Sequence, residues 1–262
     1  MYKQLQAVKA ELIKCQYANI IWITFIAFGL APLMGGVFML IMRNPDALAI
    51  AGPLKAKSEM MKFAADWGSY FGILTQAVGV GGVLVFGFVA SWIFGREYSD
   101  GTAKDLLALP TSRAKIINAK FLIYGVWCFA LVFSNLLIGL LIGTLLQISG
   151  WSNITVSSYL FNYFFTTVLT VLLGTPIAFC AIWGQGYLAP LGFVSLALVF
   201  SQVIAATGYG YYFPWAIPGL FSGAGGEYKT HLNLVSYCIL ITTSLVGYVA
   251  TLLYWEFADQ TK

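Results

Sequence analysis

The amino-acid sequence predicts an all-α, polytopic membrane protein with six transmembrane helices. Two observations lead to this fold class. The chain of 262 residues is 60% hydrophobic and only 9% charged, with a mean hydropathy of +0.82. Between Phe121 and Gly226 it contains no Asp, Glu, Lys, Arg or His. A surface in water requires charged residues, whereas a helix crossing a bilayer requires about 20 apolar residues. We therefore expect residues 1–262 to form a single transmembrane domain with no separate soluble unit.

The first element is predicted to be an amphipathic helix over residues 1–18 that lies on the membrane surface. Apolar side chains recur there at helical spacing, and charged side chains take the other faces. The apolar set is Tyr2, Leu5, Val8 and Leu12, and the charged set is Lys3, Lys9, Glu11 and Lys14.

Six apolar stretches are long enough to cross a bilayer. They are residues 19–42, 68–95, 121–148, 159–183, 188–207 and 232–255. Residues 208–226 are also apolar, but they are rich in Gly and contain Pro214 and Pro218. Backbone interrupted in this way is tolerated at membrane depth only where it packs in protein or lines a cavity. We expect a pair of short re-entrant half-helices there, before the last span.

Six spans place both termini on the same side of the membrane. The N-terminal segment and the loop at residues 96–120 share that side, and both carry Lys and Arg. The positive-inside rule therefore predicts that this side is cytoplasmic. The competing loop at residues 43–67 also contains basic residues, but acidic residues accompany them.

The loop at residues 96–120 carries the clearest local signals. Thr102 and Asp105 have the spacing of a capping box, and Gly101 permits the preceding turn. A short amphipathic helix over residues 103–109 is predicted to end at Pro110. Such a helix suits docking into a groove on a partner protein, although a solvated connector with good caps would have the same sequence.

Several residues around this loop resemble the pattern that follows the second span of type-2 ABC transporter permeases. They are Glu97, Gly101-Thr102, Leu109-Pro110, Ser112-Arg113 and Lys120. The layout of the whole chain is similar to that family, and most similar to its bacterial branch for bacitracin and lantibiotic export or immunity. The resemblance implies that the loop is a coupling helix, seated in a cleft of a separate cytoplasmic ATPase. Residues 1–18 would be the connecting helix, and residues 208–226 the extracellular re-entrant helices.

The resemblance also implies partners and a location. A second permease, identical or related, would pair with this chain in the bacterial cytoplasmic membrane. The partner ATPase would bind ATP and magnesium, so this chain would need no cofactor and would not be an enzyme. The cargo would be an amphipathic peptide antibiotic or a lipid-like molecule. The candidate coupling residues are Glu97, Asp100, Gly101, Thr102, Lys104, Asp105, Leu106, Leu109, Pro110 and Arg113.

Glu97 is the first of these to test. It could be a solvated carboxylate at the membrane surface, or it could pair with Arg113 or an N-terminal Lys and fix the coupling helix to its span. In the second case we expect Glu97→Gln to preserve expression and to reduce substrate-stimulated ATP hydrolysis by the complex.

Uncharged polar residues in the later spans either form hydrogen bonds between helices or line a translocation path. With one aromatic residue, the candidates for the path are Asn135, Asn162, Gln185, Gln202 and Tyr211.

Other chemistry has weaker support. The sequence lacks the phosphate-binding motif G-x-x-x-x-G-K-S/T, it has a single histidine, and its four cysteines form no C-x-x-C pair. We therefore expect no metal site, and the small basic excess indicates orientation in the membrane and not nucleic-acid binding. Alternatives are an ATP-independent scaffold or immunity protein that sequesters a peptide, and a relative that exports ions or serves metal-site assembly. An intramembrane enzyme is disfavoured because paired catalytic groups are missing.

Overall fold

The computed structural model describes residues 2–16, 18–44, 64–103, 112–151 and 156–257, and their regular secondary structure is helical. Ten α-helices are described. They are α1 (Tyr2–Gln16), α2 (Ile20–Arg43), α3 (Trp67–Gln76), α4 (Gly82–Ser99), α5 (Arg113–Leu145), α6 (Val156–Leu172), α7 (Gly174–Trp183), α8 (Leu188–Ala206), α9 (Ile217–Phe221) and α10 (Leu234–Phe257). A π-helical turn, Ala77–Gly81, joins α3 to α4.

The six predicted spans are confirmed, because six helical stretches within the described part of the chain are long and apolar enough to cross a membrane. These are α2, α3 to α4, α5, α6 to α7, α8 and α10. Large apolar side chains cover their outer faces, for example Leu137, Leu145 and Leu188, which are 60%, 80% and 76% exposed. Such a surface suits hydrocarbon and would be unfavourable in water.

The second and third spans extend further than predicted. The second span ends at Ser99 instead of residue 95, and α5 begins at Arg113 instead of residue 121. Arg96 and Lys120 therefore lie inside helices, and both are buried. Boundaries drawn where charge begins were wrong here because these charges are paired inside the protein. The connection between the two helices is correspondingly shorter than residues 96–120.

Two prolines interrupt helical hydrogen bonding within the spans. Pro32 lies inside α2, where it cannot donate to the carbonyl of Phe28, four residues earlier. The side chain of Asn135 in α5 donates to that carbonyl instead, at 3.2 Å. Pro176 lies in the first turn of α7, just after Leu173 separates α6 from α7.

The segment between the last two spans folds into short turns, and its central part is packed inside the protein. In place of the expected pair of half-helices, it has 3₁₀ turns at Gly210–Tyr212 and Pro214–Ala216, followed by the five-residue helix α9. Residues 216–220 are all buried. The helix α9 packs on the π-turn so closely that a Cβ at Gly79 would lie 2.6 Å from the carbonyl oxygen of Pro218.

Candidate coupling site and transmembrane groove

Five charged side chains form a cluster at one end of the bundle, called here the ion cluster. Its members are Glu11 and Lys14 of α1, Arg96 and Glu97 of α4, and Lys120 of α5. Four of them are almost fully buried, and only the Lys14 side chain, at 38% exposed, reaches solvent. Burying a charged side chain is costly unless the charge is paired. The stability of the ion cluster therefore depends on the contacts between its members.

The two carboxylates are shared among the three cations. Glu97 Oε1 lies 2.8 Å from Lys120 Nζ, 3.1 Å from Lys14 Nζ and 3.5 Å from Arg96 Nε. Glu11 Oε2 lies 2.9 Å from Arg96 Nη2 and 3.2 Å from Lys120 Nζ, while Glu11 Oε1 lies 3.2 Å from Lys14 Nζ. The network therefore ties α1, α4 and α5 together, and it carries one surplus positive charge, which emerges at Lys14.

Local structure explains how the cations are held. The Arg96 guanidinium lies 4.5 Å from the ring centroid of Trp92, one turn earlier in α4. The Lys120 ammonium also donates to the carbonyl oxygen of Ile93, at 3.0 Å. These extra contacts replace part of the hydration that each cation loses on burial.

The inward face of α1 combines the charged Glu11 with the apolar Val8 and Cys15, whereas its outer face is largely apolar. Glu11 and Cys15, one turn apart, are both 3% exposed, and burial raises the pKa of the Cys15 thiol above its usual value. Leu5, Leu12 and Ile13 are 64%, 51% and 46% exposed on the outer face. Glu11 therefore attaches α1 to the bundle. The sequence predicted only that Glu11 lies on a different face of the helix from the apolar residues.

The prediction that Glu97 pairs with an N-terminal Lys is confirmed by its contact with Lys14, and the solvated alternative is wrong because Glu97 is 2% exposed. Arg113 was the other predicted partner. It donates instead to the carbonyl oxygen of Glu256 at the end of α10, at 2.9 Å. The second carboxylate oxygen of Glu97 is buried without a hydrogen-bond partner among the described residues.

The motif residues Gly101 and Thr102 terminate α4. Gly101 has φ +71°, a left-handed conformation that favours glycine, and its N–H donates to the Tyr98 carbonyl at 3.3 Å. The Thr102 N–H donates to the Glu97 carbonyl at 2.8 Å. This pair of bonds is a Schellman motif, with Asp100 as the C-cap. The remaining candidate coupling residues lie outside the described residues: Lys104, Asp105, Leu106, Leu109 and Pro110.

The candidate path residues do not form one group. Asn135 is fully buried, donates to Phe28 and accepts from Tyr163 Oη at 3.1 Å, so it connects helices. Asn162 is half-buried in α6, and Gln185 is exposed in the turn between α7 and α8 with φ +50°. Tyr211 contacts Tyr212 near the other end of the bundle, with a centroid distance of 4.1 Å and the two rings tilted by 44°.

Gln202 is the only one of these five candidates that lines a sizeable cavity. One cavity of about 470 Å³ lies between α2, α3 and the π-turn, and another of about 300 Å³ lies between the π-turn, α8 and α9. Both are lined by Val80, Gln202 and Ala224. Gln76 also lines the larger cavity. Gln76 was not predicted from the sequence. It lies directly before the π-turn, and apart from its glycines the π-turn has no sequence signal that would predict the cavity beside it.

Among the described residues, no group of three His, Cys, Asp or Glu side chains is arranged to hold a metal ion. The charged side chains of the ion cluster pair with one another instead. The chemistry available there is electrostatic attachment between helices.

Six apolar helices with paired charges at one end define a multi-pass membrane protein. The chain belongs to the ABC-2 family of transporter proteins, whose family model matches residues 7–203. The family that the sequence resembled is thereby confirmed, and the protein is a membrane permease of an ABC transporter.

Among curated proteins, the bacitracin transport permease protein BCRB of Bacillus licheniformis is similar to this chain. The two are 26% identical over 178 residues, which cover 68% of this chain and 85% of the relative. This agrees with the resemblance to the bacitracin branch. No solved structure matches the chain significantly.

Proposed function

We propose that this chain is the transmembrane subunit of an ATP-driven exporter in the bacterial cytoplasmic membrane, with both termini in the cytoplasm. A separate ATPase docks against the loop between α4 and α5, at residues 100–112, binds ATP and magnesium, and drives the permease. The observation that carries this proposal is the ion cluster, because it fixes the helices on both sides of that loop to each other and to α1.

Force applied to such a loop reaches two spans directly. On one side the Schellman motif joins the loop to α4 through the Glu97 carbonyl, and the side chain of the same residue binds Lys120 of α5. On the other side Arg113 joins the start of α5 to the end of α10. A push on the loop therefore moves α4, α5 and α1 as a unit, provided that the ATPase contacts the loop differently in its two nucleotide states.

The proposed cargo is an amphipathic molecule, either a peptide antibiotic or a lipid-like compound. Support comes from the relative in Bacillus licheniformis, a bacitracin transport permease, and from cavities lined without ionisable side chains. A second permease, identical or related, completes the transporter in this proposal. The apolar outer faces contact lipid, α1 lies at the membrane surface, and residues 208–226 re-enter from the outer side.

Reconstitution tests the proposal. The chain is co-expressed with the Walker-motif ATPase from its gene neighbourhood, purified by a tag on the permease, and assayed for ATP hydrolysis with and without bacitracin. We expect the ATPase to co-purify and bacitracin to stimulate hydrolysis. Deletion of residues 104–110 should abolish both. An ATPase that never co-purifies, together with bacitracin protection in cells that lack it, would instead establish a sequestering scaffold.

Orientation has its own test. In intact cells, an impermeant amine reagent should fail to modify Lys104 until the membrane is opened. Modification of Lys104 in sealed cells would place the loop outside and contradict the proposal.

A further inference from the structure

The two adjoining cavities on either side of the π-turn are together called here the π-turn groove. They share Val80, Gln202 and Ala224, and they lie in the half of the bundle away from the ion cluster. Gln76 is nine residues from the start of α3, or roughly 14 Å into the span at the helical rise. The groove therefore sits at membrane depth.

The groove is open because small residues line it where the helix is distorted. A Cβ at Gly81 would meet nothing within 4 Å, whereas Gly79 on the other side of the turn is packed against α9. The hydroxyl of Thr170 in α6 donates to the Thr166 carbonyl at 2.8 Å and lies 3.4 Å from the Val78 carbonyl, so Thr170 packs against the turn. Short π-helical turns within α-helices are frequent at functional sites.

The lining of the groove is mainly apolar and has few polar side chains. No ionisable side chain lines either cavity, and the larger cavity has two carboxamides, Gln76 and Gln202. The Gln76 side chain has no hydrogen-bond partner among the described residues. Gln202 Nε2 has only a contact of 3.4 Å with Ser201 Oγ, whose own hydrogen is donated to the Leu198 carbonyl.

A carboxamide in an apolar groove is unfavourable when its donors and acceptors are not all satisfied, so two carboxamides with unused donors and acceptors in one groove indicate a polar occupant. A carboxamide both donates and accepts, and its best complement is another amide. An ester only accepts, and a charged group would enter an apolar site that has no counter-charge. The groove thus favours an uncharged amide group attached to an apolar body.

We propose that the π-turn groove binds an amphipathic, amide-bearing ligand, with Gln76 and Gln202 bonding its amide and the apolar walls covering its chain. The proposal rests on the proposed function, because that ligand is the cargo or the part of it that enters the membrane. Membrane lipid supplies esters and apolar chains, so the test separates an amide from an ester on the same chain.

The test uses three photoreactive diazirine probes with the same twelve-carbon chain: the amide, the methyl ester and the carboxylate. The chain is placed in phosphatidylcholine nanodiscs, irradiated with each probe, and mapped by mass spectrometry. We expect the amide to label residues 73–81 and 198–206, the ester to label them roughly five-fold less for each lost hydrogen bond, and the carboxylate to stay near background.

Variants connect the labelling to the two amides. Gln76→Leu and Gln202→Leu should each reduce amide labelling roughly five-fold, and the two substitutions together should abolish the preference for the amide over the ester. Ser195→Ala is the matched control, because Ser195 is exposed on the same helix α8 and donates only to Leu191. If a leucine variant fails to fold, Val80→Phe, which fills the groove, should reduce labelling by all probes.

Equal labelling by amide and ester would show that bulk lipid occupies the groove and would overturn the proposal. Amide labelling that survives both leucine substitutions would do the same. The assay needs neither ATP nor a partner subunit, so loss of labelling contradicts the site alone. Failure of bacitracin-stimulated ATP hydrolysis with labelling intact contradicts the exporter and leaves the site in place.

Discussion

The ammonium of Lys120 lies 2.8 Å from a carboxylate oxygen of Glu97, and this contact joins α5 to α4 across the loop at residues 100–112. The two residues are 1% and 2% exposed. Removing one partner of a buried pair leaves an uncompensated charge, whereas replacing both by apolar residues is often tolerated. The pair is therefore suited to a double-mutant cycle.

Glu97→Gln is expected to destabilise the protein by about 3 kcal/mol, because three cations would then share one carboxylate. Lys120→Met should cost a similar amount, and the double variant should lose less than the two single variants together. Thermal unfolding in detergent measures stability, and ATP hydrolysis of the complex measures coupling. The sequence predicts only reduced ATP hydrolysis for Glu97→Gln. Because Glu97 is buried, we expect the variant to be less stable as well.

The control for this cycle is Glu256→Gln, which changes an exposed carboxylate at the end of α10. It should leave both measurements unchanged. Additive effects of the Glu97 and Lys120 substitutions would show that the two side chains do not act as a pair.

Glu11→Gln is expected to loosen α1, because Glu11 accepts from both Arg96 and Lys120. Cys15, one turn later, reports the change. Burial raises the pKa of its thiol, so at about pH 8 the attached helix holds less of the reactive thiolate than a free cysteine would. The Glu11 charge also raises that pKa, so its removal and the detachment of α1 should both lower the pKa and accelerate alkylation by iodoacetamide in a protein where Cys15 is the sole cysteine. Lys9→Gln, at an exposed position of α1, should leave the rate unchanged.

Gly79→Ala is expected to destabilise the contact between the π-turn and α9. The added Cβ would lie 2.6 Å from the Pro218 carbonyl oxygen and 2.9 Å from Ser222, and such overpacking costs roughly 1–3 kcal/mol. Gly81→Ala is the matched control in the same turn, since its Cβ would meet nothing within 4 Å. Thermal unfolding of the two variants should differ accordingly, and equal melting temperatures would show that α9 does not rest on the turn.

Asn135→Leu is expected to lower stability without changing which cargo stimulates ATP hydrolysis. Its side-chain amide serves the Phe28 carbonyl that Pro32 leaves without a helical donor. Each interhelical hydrogen bond in a membrane contributes about 0.6 kcal/mol, so a modest shift in thermal unfolding should appear. A changed cargo preference at normal stability would instead place Asn135 on the translocation path.

The spans could be predicted from hydropathy because lipid excludes unpaired charge, and all six were found. The ends of two spans could not be predicted in this way, because Arg96 and Lys120 are charged and yet lie inside helices, where their charges are paired. Pairing was one of two possibilities for Glu97, and Arg113 was as good a partner by sequence as an N-terminal Lys, since pairing depends on which helices meet. The bridge from Asn135 to Phe28 likewise depends on contact between α2 and α5, although Pro32 marked the open carbonyl.

The groove was the least predictable feature. Gly79, Gly81 and Gly82 are visible in the sequence, but glycines in a span usually indicate close packing, and here only part of the turn is packed while the rest is open. Gln202 was recognised because it is polar in an apolar stretch. Its connection to Gln76 required the three-dimensional placement of α3 and α8.

The order of the ion cluster along the chain also bears on biogenesis. Both carboxylates that neutralise Lys120 precede it, Glu11 near the start and Glu97 at the end of the preceding span. Translation proceeds from the N-terminus, so the ribosome delivers both acids before it delivers this ammonium group. When the third span enters the lipid, the two carboxylates that pair with Lys120 have therefore already been synthesised. The pairing does not depend on any later segment of the chain.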